Sequence, residues 1–110
     1  MATAEPRNLL LTTTGRRSGQ PHAVELWFVR REGKVYVATD MCRLRDWCAN
    51  LLRNPQARVE IGGQTSACRA RLVEEPELKQ QVTMLRRQKY GSAWASLTSD
   101  IIELITEEKA

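Results

Sequence analysis

The fold is decided by residues 8–40, which read NLLLTTTGRRSGQPHAVELWFVRREGKVYVATD. Apolar and β-branched residues fill positions 8–14 and end at Gly15, a composition typical of a β-strand. After Pro21, residues 22–31 (HAVELWFVRR) alternate apolar and polar side chains up to Phe28, which indicates a second, half-buried strand. These residues therefore predict two successive strands joined by a polar loop.

A third strand follows a tight turn. The turn is Glu32-Gly33-Lys34, and it leads into Val35–Thr39, where positions 35, 37 and 39 share one face while 36 and 38 share the other. A short turn between two strand-like segments predicts a β-hairpin.

Residues 44–54 change to a helical period. The apolar positions i, i+3, i+4, i+7 and i+8 are Leu44, Trp47, Cys48, Leu51 and Leu52. A second hairpin is predicted from residues 58–61 and 65–73 around Gly62-Gly63-Gln64, because glycines accept the positive φ angles of such turns. A second helix is predicted to begin near Pro76, to bury Leu78, Val82 and Leu85, and to end at Gly91.

The last segment, residues 101–105, is compatible with a strand or a short helix, and its β-branched composition favours a strand. The order of elements is then β β β α β β α β. Consecutive hairpins in one small chain indicate an antiparallel sheet curled into a barrel with helices at its ends or gaps. We expect residues 1–110 to form a single, mainly β domain with six antiparallel strands and two or three helices.

The chain is basic, with 17 Lys and Arg against 13 Asp and Glu. Four of these acids lie in residues 100–110 beside one lysine, so residues 1–99 carry sixteen bases against nine acids, a net charge of +7. Such a charge favours an anionic partner, whether a phosphate-bearing cofactor, a nucleic acid or an anionic lipid.

The three cysteines, Cys42, Cys48 and Cys68, are not arranged with the spacing of a metal site. We expect them to be reduced and partly buried, as in cytoplasmic proteins. The sequence contains neither a signal-peptide core nor an apolar run of the about 18 residues that a membrane span requires, so a cytoplasmic location is expected.

Two basic segments are candidates for binding an anion. The loop TTTGRRSGQP (residues 12–21) offers the guanidinium groups of Arg16 and Arg17, the Ser18 hydroxyl, and glycines that let backbone N–H groups approach a ligand. Arg43 and Arg45 are predicted to lie in the first turn of the helix that starts near residue 44, where free N–H groups and the helix dipole attract anions. A solvated surface loop is the alternative interpretation of residues 15–19.

Other chemistry-bearing residues are sparse. His22 has no nucleophile or acid placed by sequence to make it a catalytic base, and it is expected to be a solvated strand-end residue. Of the tryptophans, Trp47 lies on the apolar stripe of its helix, whereas Trp27 lies on the polar face of its strand. The sequence predicts no catalytic triad, paired carboxylates or metal site.

The segments LLLTTTGRRSGQPHAVELWFVRREGKVYVATD (9–40) and RDWCANLLRNPQARVEIGG (45–63) carry a resemblance to a known family. The T-T-G-R-R-S-G loop, the long hairpin, and D-W-x-x-N-L with N-P before a strand are similar to the deazaflavin-dependent nitroreductases of the flavin and deazaflavin oxidoreductase superfamily. The match runs through residues 8–73, with a looser echo in the second helix and the final strand. The resemblance implies a split β-barrel.

The resemblance also implies coenzyme F420, a deazaflavin with a phosphate and an oligoglutamate tail, and hydride transfer from its reduced form to a quinone, enone or nitro compound. Because the cofactor carries the hydride, such a protein needs little acid–base chemistry of its own. The implied cofactor residues are as follows: Arg16, Arg17 and Ser18 at the phosphate, Gly19 for close backbone approach, Thr39 and Asp40 beside the ring, and Trp47 and Asn50 orienting that site. Tyr90 corresponds to a region of aromatic substrate-pocket residues, and Trp27 is a second candidate for that pocket.

Residues 40–45 (DMCRLR) depart from the family pattern, because many relatives have a longer glycine-rich stretch with His-Pro there. The departure keeps FMN open as the cofactor, in an FMN-binding protein or flavin reductase of the same fold. A non-enzymatic basic module that binds nucleic acid is a third hypothesis, disfavoured by the 5% aromatic content. A homodimer is expected because the barrel has unpaired strand edges, and because relatives in the superfamily often place FMN at a homodimer interface.

Overall fold

One antiparallel sheet organises residues 6–91 and 99–107, the parts of the chain that the structure, a computed structural model, describes. The strands are β1 (Asn8–Thr14), β2 (Pro21–Trp27), β3 (Val29–Arg31), β4 (Lys34–Thr39), β5 (Gln56–Ile61), β6 (Gln64–Leu72) and β7 (Asp100–Thr106). A single 3₁₀ turn (Cys42–Leu44) and the helices α1 (Asp46–Arg53) and α2 (Pro76–Tyr90) complete the described elements.

The strand order across the sheet is β2-β1-β5-β6-β7-β4-β3. The final segment is a strand, as predicted, and it pairs with both β6 and β4, so it joins the two hairpin systems near the middle of the sheet. The two edge strands, β2 and β3, are consecutive in the chain. The sheet therefore curls until its edges approach one another, and the predicted mainly β split barrel is confirmed.

The structure has seven strands instead of the predicted six, because the strand predicted for residues 22–31 is interrupted at Phe28. The Phe28 N–H donates to the Tyr90 Oη at 2.9 Å, and the Phe28 carbonyl lies 2.8 Å from the same hydroxyl. Lys89 Nζ also donates to the Phe28 carbonyl at 2.9 Å, so two side chains of α2 satisfy this backbone in place of a neighbouring strand. At this break the chain passes from one edge of the sheet to the other.

The sheet buries apolar side chains on both faces. The inner cluster includes Val35 and Val37, while Tyr36 belongs to a second cluster on the opposite face, so the predicted alternation in this strand is confirmed. The second cluster lies beneath α2, where Val82 is buried and Leu78 and Leu85 pack against it. The inner cluster is covered from its side by Cys48 and Leu51 of α1.

Helix α1 begins at Asp46, two residues later than the helical period predicts. Arg43 lies in the 3₁₀ turn and Arg45 is extended (φ −103°), so the prediction that both occupy the first turn of the helix is wrong. The physical reason is that the disulfide and the tight turn at 42–44 interrupt the helical hydrogen bonding that Leu44 would otherwise begin. Leu44 is consequently 73% exposed instead of packed.

The cysteines also differ from the expectation of three reduced thiols. Cys42 and Cys48 form a disulfide, with their Cα atoms 5.0 Å apart. The 3₁₀ turn reverses the chain between them, which brings a sequence spacing of six residues within disulfide range. Cys68 is free and buried, and burial raises the pKa of its thiol to about 11.

The remaining turns follow the sequence predictions. Glu32 and Gly33 both have positive φ and close the β3–β4 hairpin, and Gly62 and Gly63 do the same for the β5–β6 hairpin. Helix α2 begins at Pro76 and ends at Tyr90 before Gly91, whose φ of +100° a residue with a Cβ rarely adopts.

Candidate functional site

The loop between β1 and β2 has its own internal hydrogen bonds. The Gly15 N–H donates to the Gln20 carbonyl at 2.8 Å, and the Gly19 N–H donates to the Gly15 carbonyl at 2.9 Å. The Ser18 Oγ accepts from the Gln20 N–H at 3.1 Å. Gly19 has a φ of +73°, which favours glycine at this bend. Residues 15–20 are thus a defined structure, and we call them the basic loop.

Gly15 is required by close packing. A Cβ at this position would lie 2.7 Å from the Ser18 Oγ and 2.9 Å from the His22 ring. Any larger residue would push these two side chains apart. The glycine therefore sets how tightly the basic loop folds back on the start of β2.

The basic loop is held against α1 by Asn50, a buried residue with 2% exposure. Asn50 Oδ1 accepts from the Arg16 backbone N–H at 3.1 Å and from Arg16 Nη1 at 2.8 Å, and its Nδ2 donates to Thr13 Oγ1 at 3.1 Å. Arg16 Nη2 also lies 3.3 Å from Asp46 Oδ1. The Arg16 side chain therefore points towards α1.

A cavity of about 440 Å³ lies between the basic loop, the start of β2 and the first turns of α1. Its lining residues are Gly15, Arg16, Arg17, Ser18, His22, Ala23, Val24, Arg45, Asp46, Trp47 and Asn50. Three arginines and one carboxylate give it a positive lining. Among the described residues, neither Arg17 nor Arg45 has a carboxylate within 4.0 Å, so their guanidinium groups are available to a ligand.

A second cavity of about 350 Å³ opens on the other side of Arg45 and Trp47, which line both cavities. The second cavity is lined by Leu26, Ala38, Thr39, Asp40, Arg45, Trp47 and Arg86. Desolvation lowers the pKa of the Arg86 guanidinium, and the nearby Asp40 carboxylate acts in the opposite direction. The two cavities share the wall of Arg45 and Trp47, and we refer to them together as the groove. Its loop end is lined by three arginines and one carboxylate, and its β4 end by two arginines and one carboxylate.

The structure brings eight of the ten predicted cofactor residues to this groove. They are Arg16, Arg17, Ser18, Thr39, Asp40, Arg45, Trp47 and Asn50. Gly19 shapes the basic loop but stands outside the lining of both cavities as the described residues define it. Arg43 is exposed on the 3₁₀ turn and lies outside that lining as well.

The two predicted substrate-pocket aromatics, Trp27 and Tyr90, meet elsewhere. Their rings stack with centroids 4.2 Å apart and an interplanar angle of 6°, and the Arg7 guanidinium lies over both. The Tyr90 hydroxyl also contacts the carbonyl of Arg7, in addition to its bonds with Phe28. These contacts join α2 to the interruption at Phe28 between strands β2 and β3. The third tryptophan, Trp94, lies outside the described residues.

Several lining residues were missed by sequence reasoning. His22 is exposed and at the strand end, as expected, but it also lines the loop cavity, because β1–β2 pairing sets it directly opposite Thr13. Asp46 supplies a carboxylate to Arg16, and Arg86 reaches the second cavity from α2. The hairpin register could have indicated His22. The contribution of α2 could not be found from local patterns.

A separate buried polar cluster lies under α2. Glu103, only 2% exposed, accepts from the Tyr36 hydroxyl at 2.8 Å and from Arg71 Nε at 3.0 Å. Burial alone would raise the pKa of the Glu103 carboxyl, but the hydrogen bonds from Arg71 and Tyr36 outweigh it and the pKa is lowered. Burial and the bond to Glu103 raise the pKa of Tyr36 to about 12. The cluster keeps an ionised carboxylate in the middle of the sheet.

The fold is shared with solved structures of low sequence identity. The heme storage protein HutZ from Vibrio cholerae matches with a TM-score of 0.79 at 21% identity, over 94% of this chain and 83% of that one. A putative pyridoxamine 5'-phosphate oxidase from Listeria innocua matches with a TM-score of 0.74 at 18% identity, over 94% and 86% of the two chains. An F420-H2 dependent reductase, FDR-A, matches with a TM-score of 0.72 at 21% identity, over 97% and 99%. At these identities the likeness establishes the fold alone.

Helices of the described residues are all too short or too polar to cross a membrane.

The model of one protein family, described as F420H(2)-dependent quinone reductase, matches residues 2–108. This match confirms the predicted resemblance, the oxidoreductase class and the F420 cofactor. The chain, with its split barrel and its basic groove, therefore belongs to the F420H(2)-dependent quinone reductase family, whose members are F420-dependent oxidoreductases.

Proposed function

We propose that the groove binds coenzyme F420 with its phosphate in the loop cavity and its ring beside Thr39 and Asp40, and that the protein reduces a small organic acceptor such as a quinone, enone or nitro compound. The observation that supports the proposal is the wall of Arg45 and Trp47, which lies between a cavity lined by three arginines and a cavity that includes Leu26, Thr39 and Asp40. Such a groove suits a ligand with an anionic end and a flat, uncharged ring system.

The residues of the loop cavity fit a phosphate group. Arg17 and Arg45 present planar guanidinium donors, and Ser18 adds a hydroxyl. Gly15 lines the same cavity, and it adds no side chain to the lining at that point. A doubly or singly ionised phosphate would here replace water with two charge-assisted contacts.

The β4 end of the groove suits the reacting ring. When bound, the reduced cofactor supplies the hydride, and the protein contributes position and exclusion of water. Trp47 and Leu26 provide apolar contact area, while Thr39 and Asp40 provide polar groups at one edge. Arg86 and Arg45 set a positive potential near this end, which favours negative charge that develops on a quinone or nitro oxygen during reduction.

A fluorescence titration of the purified protein with F420, and in parallel with FMN, tests the proposal. We expect F420 to bind with micromolar or tighter affinity and FMN to bind more weakly. Arg17→Ala and Arg45→Ala should each weaken F420 binding about tenfold, because a hydrogen bond to a charged group contributes about 1.5–3 kcal/mol. Arg58→Ala, an exposed arginine on β5, is the matched control and should leave the affinity unchanged.

Salt provides a second readout of the same contacts. Binding of an anion by partly exposed arginines weakens as ionic strength rises. The Arg17→Ala and Arg45→Ala variants should show a shallower salt dependence than the wild type and the Arg58→Ala control. Tight FMN binding with no F420 binding would favour the alternative, an FMN-binding protein or flavin reductase of the same fold.

We also propose a homodimer and a cytoplasmic location, with the buried Cys42–Cys48 disulfide as an exception to the reduced thiols usual in that compartment. The two edge strands β2 and β3 carry unpaired backbone groups that a second copy could cover, and Leu44 and Met41 expose apolar surface beside the groove. One solved structure of the same fold, 21% identical over 97% of this chain and 84% of that one, is described as a domain-swapped dimer. Light scattering after size-exclusion chromatography measures the mass, and cell fractionation locates the protein.

A further inference from the structure

The Asn50 side chain links three segments that are distant in sequence. Its amide contacts Thr13 at the end of β1 and Arg16 in the basic loop, while its backbone belongs to α1. Thr13 and Asn50 are 1% and 2% exposed, so this contact is shielded from water. The connection is therefore between the helix that carries Trp47 and the loop that carries Arg17.

The hydrogen-bonding capacity of this amide is largely used inside the protein. The oxygen has two lone pairs, and Arg16 occupies both through its backbone N–H at 3.1 Å and its Nη1 at 2.8 Å. The nitrogen donates one of its two hydrogens to Thr13. Although Asn50 lines the loop cavity, its oxygen has no lone pair left with which to contact a ligand.

The same contacts fix the direction of the loop. Arg16 is held at both its backbone and its side chain, and Asp46 adds a contact of 3.3 Å to the other guanidinium nitrogen. Arg16 lines the cavity with its guanidinium bonded to α1, and the next two residues, Arg17 and Ser18, line the same cavity. A loop that is already ordered loses less conformational entropy when it binds a ligand.

We propose that Asn50 is a positioning residue that orders the basic loop through Arg16, so that Arg17 and Ser18 meet the cofactor phosphate without a rearrangement. The identity of the ligand, F420, rests on the proposed function. The ordering of the basic loop by Asn50 does not depend on it. The assignment predicts a change in cofactor affinity and in the hydrogen exchange of the basic loop.

The first experiment needs no cofactor. Hydrogen–deuterium exchange of the unliganded protein should show protection of the amides of Arg16 and Gly19, which are hydrogen-bonded in the loop. In Asn50→Ala we expect exchange at these amides to rise at least about tenfold, because the variant loses the two partly buried hydrogen bonds that Arg16 donates to Asn50 Oδ1. Amides of the β3–β4 turn serve as an internal control. Equal loop exchange in the variant and the wild type overturns the proposal.

The second experiment uses Thr13, which contacts Asn50 but lies outside the lining of both cavities. Thr13→Val removes the hydroxyl at nearly constant volume, while Thr13→Ser keeps it. We expect Thr13→Val to raise the KM for F420 about fivefold, the equivalent of one neutral hydrogen bond, with kcat and the acceptor KM unchanged. Thr13→Ser should restore the wild-type KM.

The outcomes separate the two proposals. If Thr13→Val lowers thermal stability and kcat together while the KM for F420 stays constant, Asn50 has a structural role only and the positioning assignment fails. If the wild type does not bind F420 but Asn50→Ala still loses loop protection, the cofactor assignment fails and the ordering of the loop by Asn50 is supported. Non-additive effects of Asn50→Ala and Arg17→Ala on F420 affinity would support action through the loop.

Discussion

Cys42 and Cys48 are joined by a disulfide that ties the 3₁₀ turn to α1, and Arg45 and Trp47, which line both cavities, lie between them in the chain. The bridge thus holds the shared wall of the groove in one conformation. Its two cysteines are 3% and 0% exposed, so it packs in the inner cluster. The geometry of the wall depends on a covalent link that residue spacing did not predict.

Reduction of this disulfide is therefore expected to lower stability. Closing a loop of about seven residues contributes about 2 kcal/mol in the chain-entropy description. Urea unfolding with and without a dithiol reductant measures the difference, and a Cys42→Ser/Cys48→Ser double variant should reproduce the reduced state. Cys68→Ser, which leaves the bridge intact, is the control. An unfolding midpoint that ignores the reductant would contradict this prediction.

Gly15→Ala should weaken F420 binding about tenfold. The added Cβ would meet Ser18 Oγ at 2.7 Å and the His22 ring at 2.9 Å, so these two side chains, which line the loop cavity, must shift. Affinity is measured by the same fluorescence titration. In a Ser18→Ala/His22→Ala background the added methyl meets no such obstacle, and Gly15→Ala should then cost much less. An equal loss in both backgrounds would mean that the packing around Gly15 is not the cause.

Glu103→Gln should change how stability depends on pH. Because the folded state lowers the pKa of this carboxyl, its contribution is fully present above the ordinary carboxyl pKa of about 4.3 and is lost as the pH falls through the lowered value. At pH 7 the variant should lose about 2 kcal/mol, the worth of a hydrogen bond to a charged group. Urea unfolding at pH 7 and pH 3 measures both effects.

The loss from Glu103→Gln should shrink at pH 3, because the same carboxyl is then largely protonated in the unfolded chain and the stability that its ionised form contributes is partly lost. Glu60→Gln, on the exposed side of β5, should be nearly neutral at both values. A loss that is constant across this range would indicate that the carboxylate charge at Glu103 does not matter to the fold.

Tyr90→Phe should destabilise the protein by about 1–3 kcal/mol, because it leaves the Phe28 N–H without its acceptor, while Lys89 Nζ still donates to the Phe28 carbonyl at 2.9 Å. The ring stack with Trp27 is retained, so the effect isolates the hydroxyl. Thermal unfolding measures the change, with Tyr36→Phe as a comparison in the Glu103 cluster. If instead the acceptor KM changes while stability does not, Tyr90 belongs to the acceptor pocket, as the family resemblance implies.

The strand segments and turns could be predicted from the sequence because their causes are local. Alternation at Val35–Thr39, the glycine turns at 33 and 62–63, and Pro76 and Gly91 at the ends of α2 each act over a few residues. The proposed anion-binding role of the basic loop depended on more than local sequence. Charge and glycine content within residues 15–19 left a solvated surface loop as an alternative, and the family resemblance was needed to nominate Arg16, Arg17 and Ser18.

The tertiary structure was needed to show which residues contact one another across long distances in the sequence. Asn50 accepts hydrogen bonds from Arg16, 34 residues away in the sequence, and Tyr90 accepts one from the Phe28 N–H, 62 residues away. Arg86, on α2, lines the cavity at the end of β4. Local periodicity contains no information on such partners, because they depend on which faces the curled sheet turns towards each other. The sequence by itself determined a split barrel with a basic loop, and packing alone decided that the loop is fixed to α1 and faces a shared groove.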